Sequence, residues 1–126
     1  MTKTRVFVCI SCQRKDQKEQ SDISDGENLY NKLKSDNESE SIDIVAVKCL
    51  AACSKSCSVA LSAEDKWSYI YGEMDPHTDV AEIIIGADAY NKSIDGIVPW
   101  RERPMVFRKR TRARIPPIKF QEIYNE

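Results

Sequence analysis

Five cysteines carry the pattern in this chain that could do chemistry. Cys9 and Cys12 form a C-x-x-C near the N-terminus, and Cys49, Cys53 and Cys57 recur every four residues within Lys48-Cys49-Leu50-Ala51-Ala52-Cys53-Ser54-Lys55-Ser56-Cys57. Two thiolates this close in sequence can share one metal ion, and the two pairs of a four-ligand site can come from distant parts of a chain. Cys9 with Cys12 makes one pair. Cys49 with Cys53 makes the best second pair, with Cys53 and Cys57 as the competing choice. The fifth thiol exceeds any four-ligand site. On spacing alone an iron–sulfur cluster and a tetrahedral zinc site both satisfy the pattern, although the second spacing is wider than the paired C-x-x-C knuckles of a zinc ribbon. A redox dithiol at Cys9 and Cys12 explains only part of it, since three regularly spaced cysteines are left over. The plainest alternative is a set of buried structural cysteines that bind nothing.

Other chemistries find little support. His77 is the single histidine and sits at an expected helix start between Asp75 and Asp79, where a surface role outweighs metal ligation. No Ser-His-Asp set, paired catalytic carboxylates, phosphate loop or Rossmann glycine pattern is present. Hydrolysis and nucleotide binding are therefore not expected.

At 126 residues the chain suits one domain with a real core. The N-terminal apolar run is too short for a secretory leader, and no stretch approaches the roughly 20 apolar residues of a membrane helix. A cytoplasmic location is expected, where thiols stay reduced and clustered cysteines more often bind metal than staple structure. The net charge of −1 hides an asymmetry. Acids dominate from Asp16 to Asp43, whereas Arg101, Arg103, Arg108, Lys109, Arg110, Arg112, Arg114 and Lys119 face only Glu102 between Pro99 and Lys119.

The elements that must position the cysteines can be read in order. Arg5–Ile10 is a continuous, β-prone run that delivers Cys9. A polar loop, Ser11 to Asp22, follows. Ser24 and Glu27 have capping-box spacing, and Leu29, Tyr30 and Leu33 recur at helical intervals, so a helix is expected over about Asp25–Ser35. Ile42–Val47 is a second strand and delivers Cys49. Strand, helix and strand in this order make a βαβ unit with parallel strands, which brings both cysteine groups to one end of the sheet. Ser58–Ser62 and Trp67–Tyr71, joined by the turn Ala63–Lys66, read as an antiparallel hairpin. Asp75-Pro76 resembles an N-cap with proline at the first helical position, and Val80, Ile83, Ile84, Ala87 and Tyr90 give the apolar stripe of a helix over about Pro76–Lys92. Trp67, Tyr69 and Tyr71 alternate along their strand, so at least one face belongs to the core. Beyond Ser93, Pro99, Pro104, Pro116 and Pro117 are expected to break up any regular element, leaving an extended arm pinned by Trp100 and Phe107.

The segment Cys49 to Leu61, with Lys66-Trp67-Ser68-Tyr69 after it, resembles the second cluster-binding segment of thioredoxin-like [2Fe-2S] ferredoxins and of the related small subunit of respiratory NADH dehydrogenase. Val6-Phe7-Val8-Cys9 is similar to the first strand of those proteins, and Gly26-Glu27-Asn28-Leu29 to their first helix. The resemblance implies that Cys9, Cys12, Cys49 and Cys53 hold a [2Fe-2S] cluster. Ser56-Cys57 falls where those proteins have Gly-Pro, which places Cys57 outside the four ligands and leaves it as the alternative one. The chain departs from them in its closer first pair, its missing Gly-Pro and its fifth cysteine.

A closer resemblance covers most of the chain. V-C-x-x-C, C-L-x-x-C-x-x-x-C-x-V-A-L, K-W-x-Y and Asp95–Pro104 with Phe107-Arg108-Lys109 are similar to an uncharacterised bacterial family of predicted metal-binding proteins, some encoded near cobalamin-biosynthesis genes.

Together these resemblances imply an α/β, thioredoxin-like ferredoxin fold of βαβ, β-hairpin and α-helix with an extended basic C-terminal arm. Residues 1–93 would form the cluster-binding domain and 94–126 the arm packed on it. The implied role is a [2Fe-2S] electron carrier, not an enzyme, that passes single electrons to or from a redox partner protein docked by Arg101–Arg114. The alternative is a zinc-binding or metal-delivery module linked to cobalamin metabolism. Nucleic acid ranks last among partners, no membrane contact is expected, and a homodimer is a reasonable expectation because the ferredoxins it resembles are often dimers.

Overall fold

A computed structural model describes residues 3–11, 23–50, 56–120 and 123. The chain order is β1 (Thr4–Cys9), α1 (Asp25–Asp36), β2 (Ile42–Val47), β3 (Val59–Ser62), β4 (Ser68–Tyr71), α2 (Val80–Lys92), a 3-10 turn (Trp100–Glu102), α3 (Met105–Arg110) and β5 (Thr111–Ile115). The strands form one five-stranded sheet in the order β2-β1-β3-β4-β5. β1 and β2 run parallel, as the βαβ order requires, and every other pairing is antiparallel.

The two-residue period of the strands sorts the core. On β1, Thr4, Val6 and Val8 are fully buried while Arg5 is exposed and Phe7 half-buried. Their neighbours on the same face, Ile42 and Ile44 of β2, Val59 and Leu61 of β3, and Tyr69 and Tyr71 of β4, are buried too. Helices α1 and α2 pack on β1 and β2 and on each other. Thr4 donates its hydroxyl to Asn91 on α2, which marks this as the helical face.

α1 starts where its sequence signal puts it. The Ser24 hydroxyl oxygen accepts the Glu27 N–H at 3.0 Å, satisfying one of the helix's orphan donors. Leu29 and Leu33, four residues apart, form its buried stripe. At the far end the Asn37 N–H bonds the Leu33 carbonyl, and the Asn37 side chain donates to the Ile42 carbonyl at 2.9 Å, fixing the turn into β2.

α2 starts later than the proline suggests, at Val80 with Asp79 as N-cap. The side chain of Asp75 accepts the His77 N–H at 2.8 Å, and the Asp75 carbonyl accepts the Asp79 N–H at 3.0 Å. Asp75 therefore caps a separate turn, which uses the polar groups that the expected helix start would have needed. At the other end, the buried Lys66 ammonium donates to the carbonyls of Tyr90 and Asn91 at 3.1 and 2.8 Å, closing the last turn of α2.

The segment after Ser93 contains more regular structure than its prolines suggest. They lie at element boundaries rather than inside elements: Pro99 precedes the 3-10 turn, Pro104 precedes α3, and Pro116 follows β5. A proline there loses no needed donor and presets φ for the next turn. Phe107 on α3 is buried, stacks on Tyr71 at 4.3 Å and lies against Gly86 of α2. Trp100, also expected to anchor this segment, is instead 59% exposed. β5 then pairs with β4, Tyr69 opposite Arg114, and adds an edge strand that the local pattern did not reveal.

Candidate metal centre

The β1–β2 register places Cys9 opposite Val47, and the Ile10 N–H bonds the Val47 carbonyl at 2.9 Å. Cys49 lies two residues beyond Val47, so parallel pairing carries it to the same end of the sheet as Cys9. On the other side of β1, the Cys9 N–H bonds the Ser58 carbonyl at 3.2 Å. Cys57 is the residue before Ser58 and reaches this end from β3. Among the described residues, Cys9, Cys49 and Cys57 thus come from three adjacent strands to one end of the sheet. The other two cysteines singled out from the sequence, Cys12 and Cys53, lie outside the described residues.

The three thiols have different surroundings. Cys9 is 1% exposed, Cys57 is fully buried in the core cluster, and Cys49 is exposed. Cys57 exchanges backbone hydrogen bonds with Met74 in both directions, at 3.3 and 3.0 Å. Cys9 Sγ lies 3.7 Å from Ser11 Oγ and 3.8 Å from the Lys48 carbonyl oxygen, to which Ser11 also donates. Ser24 donates its hydroxyl to the Ile10 carbonyl while capping α1. The Cys9 turn is therefore tied both to the Cys49 turn and to the start of α1. Sequence reasoning identified Ser24 only as a cap and missed Ser11, because their long-range partners carry no local signal.

The α1 N-terminus lies at this end, where Ser24 bonds the Ile10 carbonyl. Aligned N–H groups at helix starts favour nearby negative charge such as thiolate. Thiolates are soft donors that suit iron–sulfur clusters and zinc, so the chemistry of the available donors fits the expected metal groups. No group of three or more His, Cys, Asp or Glu side chains is arranged to hold a metal among the described residues. His77 is exposed, with its Nδ1 3.2 Å from the Lys32 ammonium. Burial pushes the Lys66 ammonium down against the pull of Asp95, and burial with neighbouring Tyr69 pushes the Tyr71 and Tyr90 phenols up.

The basic segment is largely engaged with its own molecule. Arg103 donates to the Val98 carbonyl at 2.7 Å, and its guanidinium lies over both Tyr69 and Trp100. Arg108 donates to the carbonyls of Trp100 and Arg101. Arg110 pairs with buried Asp79 and bonds the Glu73 carbonyl, Arg112 pairs with the Glu73 carboxylate, and Arg114 lies 4.7 Å over the Trp67 ring. The Arg110 and Arg112 contacts hold this part of the segment against the 73–79 turn, whose Met74 pairs with Cys57.

No helix among the described residues is long and apolar enough to cross a membrane. No curated protein matches the chain. Its fold is similar to that of a thioredoxin-like [2Fe-2S] ferredoxin from Aquifex aeolicus, with a TM-score of 0.56 at 17% identity over 94% of this chain and 98% of that one. The fold is thus that of a thioredoxin-like ferredoxin, as the sequence resemblance implies. A family described as Protein of unknown function (DUF1636) matches residues 6–117, and this chain belongs to that family.

Proposed function

We propose that this protein is a one-electron carrier that holds a [2Fe-2S] cluster through Cys9, Cys12, Cys49 and Cys53. The observation that carries the reading is the parallel register of β1 and β2, which delivers Cys9 and Cys49 to one end of the sheet. The fold likeness to a [2Fe-2S] ferredoxin supports it. When bound, the cluster supplies a site that accepts and releases a single electron. Cys9, Cys12, Cys49 and Cys53 would supply the four thiolates that hold it, and the core around Cys9 would exclude water on that side. Cys9 is sealed in the core, whereas Cys49 meets solvent. That exposure makes the Cys49 side the face where a redox partner would dock, and the exposed Arg101 and Lys109 would add steering toward an acidic partner. The carrier would act in the cytoplasm as a homodimer, with no catalytic residue of its own.

The exposure of Cys49 also favours a second reading, a zinc-binding or metal-delivery module that passes its ion on through an accessible thiolate. Anaerobic purification followed by iron, sulfide and zinc analysis separates the two. Two irons and two sulfides per chain, with visible absorption that bleaches on dithionite, are expected for the carrier. A colourless protein with stoichiometric zinc would sink it.

A further inference from the structure

The side chain of Ser11 stands between two acceptors. Its hydroxyl donates to the Lys48 carbonyl, and its Oγ lies 3.7 Å from Cys9 Sγ. Cys9 Sγ is itself 3.8 Å from the same Lys48 carbonyl, so a thiol at Cys9 and the Ser11 hydroxyl address one acceptor. Ligation changes this arrangement. A ligand cysteine is a thiolate, with no proton to donate and lone pairs that accept. The Ser11 hydroxyl rotates about a single bond, and sulfur accepts hydrogen bonds over longer distances than oxygen does.

We propose that Ser11 is a positioning residue that tunes the Cys9 ligand by donating its hydroxyl proton to the ligated sulfur. This rests on the [2Fe-2S] reading above. A hydrogen bond to a ligand sulfur stabilises the more negative, reduced cluster and raises the reduction potential. Burial strengthens the effect, because Cys9 is 1% exposed and water competes little for its sulfur. The Lys48 carbonyl is the resting acceptor that keeps the hydroxyl within reach, and Lys48 directly precedes the Cys49 ligand. One hydroxyl proton therefore links the two cysteine turns when Cys9 is a thiol and bonds the Cys9 sulfur when it is a ligand.

The test uses the full-length protein, with iron and sulfide measured first on the wild type. Midpoint potentials are then compared for wild type, Ser11→Ala and the nearly isosteric pair Ser11→Thr and Ser11→Val. The expected result is a lower potential for Ser11→Ala and Ser11→Val, with Ser11→Thr close to wild type. The Fe–S stretching bands in resonance Raman spectra should shift on transfer to D2O in wild type and Ser11→Thr, and shift less in the other two. Unchanged potentials at full cluster content would overturn the proposal. So would loss of the cluster in both hydroxyl-free variants with retention in Ser11→Thr, because Ser11 would then hold the turns together without tuning the sulfur. A wild type lacking iron and sulfide removes the electron-carrier reading and this one with it, and the initial metal analysis shows that separately.

Discussion

Cys57 and Met74 form a reciprocal backbone pair, Cys57 N–H to Met74 carbonyl at 3.3 Å and Met74 N–H to Cys57 carbonyl at 3.0 Å. With its side chain fully buried in the core cluster, Cys57 is built into the wall of the cysteine end. Cys57→Ala should therefore keep the cluster at wild-type content and cost about 1 kcal/mol, the scale of a small deletion in a packed core. Cys9→Ser and Cys49→Ser should lose the cluster. Iron and sulfide content together with denaturant melts check this. Cluster loss in Cys57→Ala with retention in Cys49→Ser would place Cys57 in the ligand set.

The wall is braced from outside by Arg110 and Asp79. Asp79 has a side chain 6% exposed, accepts the Asp75 N–H at 2.7 Å and pairs with Arg110, which also bonds the Glu73 carbonyl. Removing the cation leaves a buried carboxylate without its charge partner, so Arg110→Met should destabilise the fold by about 3 kcal/mol. Asp79→Asn combined with Arg110→Met should recover much of that loss, since neither charge remains. Urea unfolding of the two variants decides it, and equal losses in both would refute the coupling.

A methyl group at Gly86 would lie 2.1 Å from the nearest ring carbon of Phe107. Alanine favours a helix interior by about 1 kcal/mol over glycine, but overpacking costs about 1–3 kcal/mol, and the rigid, buried ring has little room to move. Gly86→Ala should therefore lower the melting temperature. Gly86→Ala with Phe107→Leu should lose less than the sum of the two single changes. Strict additivity in this double-mutant cycle would show that the two sites do not touch.

Alkaline pH should weaken the fold through Tyr71 and Tyr90. Burial, followed by the neighbouring Tyr69, holds both phenols well above the ordinary tyrosine range. A raised folded value means that the stabilisation is complete below the unfolded value and is lost as pH rises past it, because the unfolded chain releases protons that the folded chain keeps. Lys66 acts in the opposite direction, since burial lowers it from 10.5 and its penalty eases as pH approaches that value. Above about 10.5 the lysine has no further effect and the tyrosine slope remains. Denaturant midpoints between about pH 9 and about pH 12 should fall in wild type and fall less steeply in Tyr71→Phe. Identical slopes would remove Tyr71 as the cause.

Local chemistry in the sequence determined the order of strands and helices from β1 to α2, the Ser24 cap and the arrival of Cys9 and Cys49 at one end of a parallel pair. Periods of two and 3.6, cap residues and the βαβ rule act over short stretches, so they can be read without knowing what lies across the fold. Asp75 and the four C-terminal prolines were ambiguous at that level, because a turn cap looks like a helix cap and a boundary proline looks like a breaker. Only the tertiary structure decided that Asp79 starts α2, that α3 packs Phe107 against Gly86, and that β5 extends the sheet beside β4. It also decided that arginines legible as a docking arm pair with Asp79, Glu73 and Trp67, and that Ser11 meets Lys48, 37 residues away. Each of these depends on two distant segments meeting in one register, and neither segment alone records its partner.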